Sequence, residues 1–423
     1  MSKRILCLGL LSLVVIAMFS SSISMVLAAG KAVEIEWYAW GRPAEVEFFH
    51  QAIAEFEKKN PGIRIKLTET GWDEHHRTLD VRIAGGNAPD IYRTTFPYVG
   101  RYIKAKQALD LSPHLLKEYR KRFWPNLRQF VESDGKFYGV PQMTDTHVVF
   151  YNIDYFKAAG IEAPATIDKA WTWEDWENIG RKLKSKSPAK YGFAGALYNG
   201  EPWYINTWGG GFVTPDGKKP DVNKPEVIKG LKLQKKWYDE GLEPINTLFL
   251  KPDSHEQLFA LGQIGVIFSG TWMAEWLKDQ IGDKFKWGTT FVPKGPAGFS
   301  TALGGCLNVI SPQSKHPKEA AKFLEWLNTD EVMERFCQLG FIPTSVPLAK
   351  RISYKDPTIN GVMKAALQQY AQIPPIVVTQ YKQKNYAGMV QVFIETIGPA
   401  MHGQITVEQA VKMLDKELRR LID

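Results

Sequence analysis

A chain of 423 residues is long enough for two domains of ordinary size. Its 44% hydrophobic and 23% charged residues are the composition of a folded protein and exclude an intrinsically disordered one. The formal charge of +8 falls to +6 when Lys3 and Arg4 are set aside, and the excess is spread thinly, with short clusters such as RKLKSKSPAK at 181–190; this reads as a solvated surface, so no nucleic-acid partner is expected.

In chain order, Lys3 and Arg4 precede an apolar run from Ile5 to Phe19, and Val26-Leu27-Ala28-Ala29 supplies small residues for cleavage. Residues 1–28 therefore read as a secretory signal peptide. Cys7 stands at the start of the apolar run instead of its end, which gives no support to a lipid anchor. No later stretch approaches the roughly 20 apolar residues that span a bilayer. The mature chain is expected in the periplasm or at the cell surface, soluble and monomeric.

Val33, Ile35 and Trp37 alternate with polar residues and predict a strand. Val46, Phe49, Ile53 and Phe56 then fall on one helical face, and Asn60-Pro61-Gly62 stops the helix. Ile63, Ile65 and Leu67 form a second strand, a helix covers about 73–84, and Asp90-Ile91-Tyr92 a third strand. That strand runs into Arg93, Thr94, Thr95 and Phe96, as though its end faced something small and polar. Strand–helix–strand–helix–strand order predicts a parallel sheet covered by helices. After a turn at Asp134-Gly135 come a strand at 147–152 and a helix with Trp173, Trp176, Ile179 and Leu183 inward. A helix capped by Ser254 and Gln257 leads into a strand at Ile264–Phe268, and amphipathic helices close the chain, the last capped by Thr406 and Gln409. With no repeat and no long Gly/Ser linker, two halves would be joined by several short ordered crossovers, which make a hinge and not a tether.

Chemical motifs are scarce. Neither a G-x-x-x-x-G-K-[ST] loop nor a G-x-G-x-x-G after the first strand occurs, and H-E-x-x-H and G-x-S-x-G are absent. His75 and His76 lie beside Asp73 and Glu74, but adjacent helix residues point about 100° apart, so an exposed helix face is expected there. The stretch 215–226 reads as a surface turn. No metal, cofactor or catalytic residue is predicted. Cys306 and Cys337 are open to two readings, a bridge or two separately buried thiols.

The unusual feature is 14 tryptophans, several outside any helical or strand period. Trp40 follows the first strand, Trp203 and Trp208 lie in the Gly-rich GEPWYINTWGGGF, and Trp272 follows VIFSGT. Open α/β sheets bind ligands beyond the carboxyl ends of their strands. Sugars match such rings: indole covers the C–H face while polar side chains satisfy the hydroxyl rim. Each loop tryptophan is also open to a packing reading, as Trp37, Trp173, Trp176, Trp237 and Trp326 are by their spacing.

FEKKNPGIRIKL, GNAPDI, DGKFYGVP, VVFYNIDYFKAAGI, TWEDW, GQIGVIFSGTW, LNVISPQSKHPKEAAKFLEWLNTDE and GQITVEQAVKMLDKEL, in that order, resemble the extracellular solute-binding proteins of sugar ABC importers, the maltose-binding protein class. The resemblance spans nearly the whole mature chain. It implies an α/β, two-lobed periplasmic-binding-protein fold of type II-like form, with a carbohydrate in the cleft between lobes and permease subunits as partners. It places lobe 1 at 32–144 with 304–345 and lobe 2 at 145–303 with 346–423, crossing near 144–146, 304–307 and 342–346. It points to Trp203 in EPWY and Trp272 in SGTW as sugar contacts, with Trp40, Arg42, Thr95, Tyr98 and Tyr386; Trp208, by its place in the Gly-rich loop, and Gly305 complete the candidate ligand contacts. Asp145 stands at a family carboxylate; it accepts from sugar hydroxyls or orders the crossover. TTFPY departs from the maltose-binding pattern, which carries an aromatic and an Asp-Arg pair there. Two rivals stay open: the same fold taking a glycerol-phosphate-type solute on Arg42 or Arg93, and a secreted glycoside hydrolase, for which Asp145 lacks a partner by motif.

Overall fold

A computed structural model describes residues 32–115, 117–249 and 254–422. The signal-peptide segment 1–28, Cys7 and the side chain of Ser254 lie outside the described residues.

The opening elements follow the hydrophobic period. β1 (Val33–Ala39) leads to α1 (Pro43–Lys59), whose buried stripe includes Phe49, Ile53 and Phe56. β2 (Ile63–Glu69), α2 (Trp72–Ala84), β3 (Ile91–Thr95) and α3 (Phe96–Lys104) come next. β1 pairs in parallel with β2, Val33 opposite Ile63, and with β3, Trp37 opposite Ile91. β4 (Val140–Asp145) and the late β9 (Gly304–Ile310) complete the sheet, β9 running antiparallel to both its neighbours β3 and β4, giving the order β2-β1-β3-β9-β4.

A second sheet has the order β8-β5-β7-β6, from β5 (His147–Asn152), β6 (Tyr191–Ala194), β7 (Ile264–Gly270) and β8 (Trp287–Thr290). All seven residues of β7 are buried, as a central strand covered on both faces requires. α4 (Trp173–Lys186) covers it, with Trp173, Trp176, Ile179 and Leu183 inward. α5 (Trp203–Asn206), α6 (Pro225–Asp239), α7 (Pro357–Tyr370), α8 (Pro375–Tyr381) and α9 (Tyr386–Met401) complete the elements that matter for the site. The closing helix has the capping box of Thr406 and Gln409.

Two sheets therefore form two lobes, and the chain passes between them side by side. β4 ends at Asp145 and β5 begins at His147. Thr144 and Ile342 exchange backbone hydrogen bonds of 3.0 and 2.9 Å. Thr144 Oγ1 donates to the Gly304 carbonyl at 2.9 Å, and Thr146 Oγ1 to that of Ala302 at 2.8 Å. Beyond Ile342 the chain reaches α7, which packs on β5 and β8 of the second sheet.

Three expectations need correction, and one open pair of readings is resolved. β3 does not stop at Tyr92: antiparallel pairing with β9, Cys306 opposite Thr95, extends it through Arg93–Thr95. His75 is not on an exposed face but fully buried, stacked on Tyr38 at 4.7 Å and hydrogen-bonded through Nε2 to the Arg93 carbonyl at 2.7 Å. Trp203 does not sit in a loop; it heads the one-turn α5. Of the two readings of the cysteines, the structure has both thiols free and buried.

Candidate functional site

Trp40 follows β1 directly, and its place is fixed from below by Arg93. That guanidinium is wholly buried. Nη1 donates to the Trp40 carbonyl at 2.5 Å, Nη2 to Glu45 Oε2 at 2.8 Å and Nε to Gln142 Oε1 at 3.1 Å. The cation also lies 5.0 Å from the Trp40 ring centre. Trp40 is thereby locked as the first member of an aromatic wall. Trp72 meets it at 5.1 Å and His76 at 5.9 Å, and His76 stacks on Tyr98 at 4.3 Å with the rings 5° from parallel. Burial pushes the His76 imidazole down to about 2, so it enters the wall neutral. Trp72 remains 41% exposed despite these ring contacts, an unusual position for a large indole.

The second lobe supplies a second aromatic cluster. Trp272 follows β7, its ring lying over the bare Cα of Gly270, where a Cβ would fall 1.9 Å from the ring. The ring of His147, the first residue of β5, meets Trp272 at 5.7 Å and Trp203 at 6.0 Å. Trp203 is only 1% exposed, yet its Nε1 has no hydrogen-bond partner. Tyr381 and Tyr386 pack ring to ring at 4.7 Å, and Tyr381 Oη donates to Glu201 Oε2 at 3.3 Å. Burial pushes the Glu201 carboxyl up to about 7, against the lowering effect of that hydrogen bond. α3 of the first lobe packs on α8 and α9 of the second, and the Tyr98 and Glu201 side chains are close enough to interact electrostatically.

At the end of β4, where the chain crosses to β5, stands Asp145, buried, with Oδ1 lacking a partner. Burial holds its carboxyl well above the usual range, reinforced by Glu201 and Glu45 and opposed by Arg93. Its carboxylate occupies the place a Cβ on Gly304 would take, 1.8 Å from Oδ1. The next residue, Gly305, has φ +123°, and a Cβ there would come 2.4 Å from the Met143 carbonyl oxygen.

Of the residues the sequence put forward, Trp40 and Tyr98 join through His76 in the first lobe, Trp203 and Trp272 through His147 in the second, and Asp145 and Tyr386 each lie close enough to Glu201 to interact electrostatically. Thr95, half-buried, ends β3 beside Tyr98's helix, and Arg42 caps α1 next to Trp40, its backbone N–H directed at Glu45 Oε1. Gly305 contributes backbone geometry only. Trp208, 5% exposed, packs its ring on Gly230 of α6 in the same core of the second lobe that takes Trp203. Arg93 is a correction, because its three nitrogens are bonded inside the first lobe and it faces no solute. Trp72, His76, His147 and Glu201 were missed. Trp72 obeys the same rule as Trp40, an indole just past a strand. Glu201 is the sole charged residue among 25 from Tyr191 to Pro215, and an isolated acid in such a run is a legible signal.

The family model for bacterial extracellular solute-binding proteins matches residues 41–334. A binding protein of Brucella abortus (strain 2308) is 26% identical over 338 residues, covering 78% of this chain and 80% of its own. The arabinooligosaccharide-binding protein of Bacillus subtilis (strain 168) is 25% identical over 399 residues, 89% of this chain and 90% of its own. An ABC transporter solute-binding protein from Thermotoga lettingae TMO, solved with α-D-tagatose bound, superposes with a TM-score of 0.80 at 21% identity, over 93% of this chain and all of that one. The fold is thus the two-lobed α/β architecture of periplasmic binding proteins, its cleft between lobes joined by a multi-segment hinge.

Proposed function

The chain belongs to the bacterial extracellular solute-binding proteins, and on that premise we propose that it is the extracytoplasmic substrate-binding component of an ABC importer, closing on a sugar or oligosaccharide and presenting it to membrane permease subunits. The observation that supports the ligand class is an aromatic cluster in each lobe, Trp40–Trp72–His76–Tyr98 and Trp203–His147–Trp272, together with buried polar atoms without hydrogen-bond partners, Asp145 Oδ1 and Trp203 Nε1. Buried polar groups are almost always satisfied, and a hydroxylated ring gripped between indoles would satisfy these. The names of relatives support the reading, the arabinooligosaccharide-binding protein among them.

Lobe 1 comprises 32–144 with 304–345 and lobe 2 comprises 145–303 with 346–423, an assignment supported by the membership of the two sheets. Residues 1–28 direct export, and no cysteine stands at the end of the apolar run to take a lipid. Among the described residues no helix is long and apolar enough to cross a membrane. The protein acts as a monomer without covalent chemistry. Asp145 and Glu201 do bring two carboxyl groups together, as a glycosidase would need, so the binding role requires that oligosaccharides be recovered intact after long incubation.

A thermal-shift panel of mono- and oligosaccharides tests the assignment, since a ligand at 100 times its Kd adds about 2.7 kcal/mol to the folded state. A saccharide should raise the melting temperature, and Trp40→Ala and Trp272→Ala, one from each cluster, should each weaken its binding by roughly 1–3 kcal/mol in calorimetry. A panel in which only non-carbohydrate solutes stabilise the protein would sink the reading.

A further inference from the structure

Asp145 and Glu201 lie where the lobes meet, with acids and phenols for neighbours, and from that placement we infer that closure is linked to protons: the pair takes up a proton as the halves come together, so the solute is held more tightly as pH falls. This rests on the reading of the chain as a receptor that closes.

Glu201 precedes α5 of the second lobe. It accepts from the Tyr381 hydroxyl of α8, and Tyr98 of α3 and Tyr386 of α9 are close enough to feel its charge. Asp145, at the end of β4, is within electrostatic reach of Glu201, of Glu45 on α1, of Cys306 on β9, and of Tyr370 and Tyr381 on α7 and α8. Among the described residues Arg93 is the cation that acts on Asp145, and none acts on Glu201. Arg93 is itself bonded to Trp40, Glu45 and Gln142, and Arg42, on the cap of α1, is engaged in contacts of its own. Because α3 of the first lobe packs here on α8 and α9 of the second, the cluster is assembled only when the lobes meet. A carboxyl covered without a bonded cation favours its neutral form, and two such acids within reach of each other hold a first proton more firmly still.

The sign follows from the two states. Burial raises Glu201 to about 7 in the closed form, and Asp145 in the same direction; opening returns each to water and to the ordinary carboxyl range. A group raised on closing favours the closed form in full below its open-state value, and that gain is lost as pH rises through about 7. His76 and His147, held down to about 2 and about 3, would act in the opposite sense if closure covered them. Their ring contacts lie within single lobes, however, His76 with Trp40, Trp72 and Tyr98 and His147 with Trp203 and Trp272, so closing adds none of them.

Calorimetry tests the linkage with an uncharged saccharide that raises the melting temperature in the panel above, or with the uncharged polar solute that does so if no saccharide does. In paired buffers of unlike ionisation enthalpy at pH 6, wild type should take up about one proton per solute bound, and its Kd should be about 10-fold lower at pH 6 than at pH 8. Glu201→Gln and Asp145→Asn should each reduce the uptake, and the double variant should bind equally well at the two pH values. Each comparison is a ratio within one variant, so a general loss of affinity does not hide it. A wild-type binding enthalpy independent of buffer, with equal Kd at pH 6 and pH 8, overturns the linkage. An uptake that survives in the double variant overturns it as well. Where a non-carbohydrate binds with proton uptake, the ligand class proposed above fails and the linkage stands.

Discussion

Arg93 ends the buried run of β3 with a guanidinium out of reach of water, and its partners come from three other places in the chain: Trp40, Glu45 and Gln142. The polar end of this strand invited the reading that it faces a solute. What it faces is Glu45, 48 residues earlier, and no local pattern announces that pairing. A buried pair is sensitive to the loss of one member, because the other is left as an uncompensated charge. Glu45→Ala should therefore cost about 3–5 kcal/mol in urea unfolding. The double variant Arg93→Met/Glu45→Leu should recover most of that loss while displacing Trp40. Equal destabilisation of the single and double variants would show that the pair is not what matters.

Among the elements, α2 is legible in its extent but not in the face it buries. The pattern gives its span, whereas His75 and His76 beside Asp73 and Glu74 read as an exposed face. His75, Leu79 and Ile83 are spaced by four and are the buried residues of this helix, so the stripe that buries His75 was in plain view. The short α5 was not legible, since four residues carry no period; its burial of Trp203 depends on Trp173 and Phe268 from other elements. The pairing of β9 with β4, where Gly305 lies opposite Thr144, shows the opposite case, in which backbone conformation decides. With φ +123° and the Met143 carbonyl 2.4 Å from any added Cβ, Gly305→Ala should destabilise the protein by about 1–3 kcal/mol. Urea titration checks this, and a variant as stable as the parent would mean that the strand shifts freely at this point.

Over the whole molecule, buried acids and buried histidines act on stability in opposite senses. Burial lifts Glu201 and Glu243 each to about 7, and raises Asp145 in the same direction. These groups bind protons in the folded state before the unfolded chain does, so they favour folding as pH falls from about 7. Burial lowers His75 to about 4 and His147 to about 3, and these favour folding less and less as pH falls below about 6.5. Glu243 is the clean probe because it lies in the second lobe's core, accepting from Gly195 N and Gln234 Nε2, each at 2.7 Å. In Glu243→Gln the Gln234 amide, whose oxygen has no partner, can turn to accept. The variant should gain about 1–3 kcal/mol over the parent at pH 8 and lose that advantage by pH 5. Parallel stability profiles from pH 5 to 8 would refute the assignment of Glu243.

The hydrogen-bonded passage of the chain through Thr144, Ala302–Gly304 and Ile342 has a kinetic consequence. Adjacent strips laced together flex across their common plane but resist shear and swivelling, so the halves approach one another along a nearly fixed arc. A solute caught on one half need not wait for the other to search orientations, and capture should be governed by the first encounter and not by a later sorting of poses.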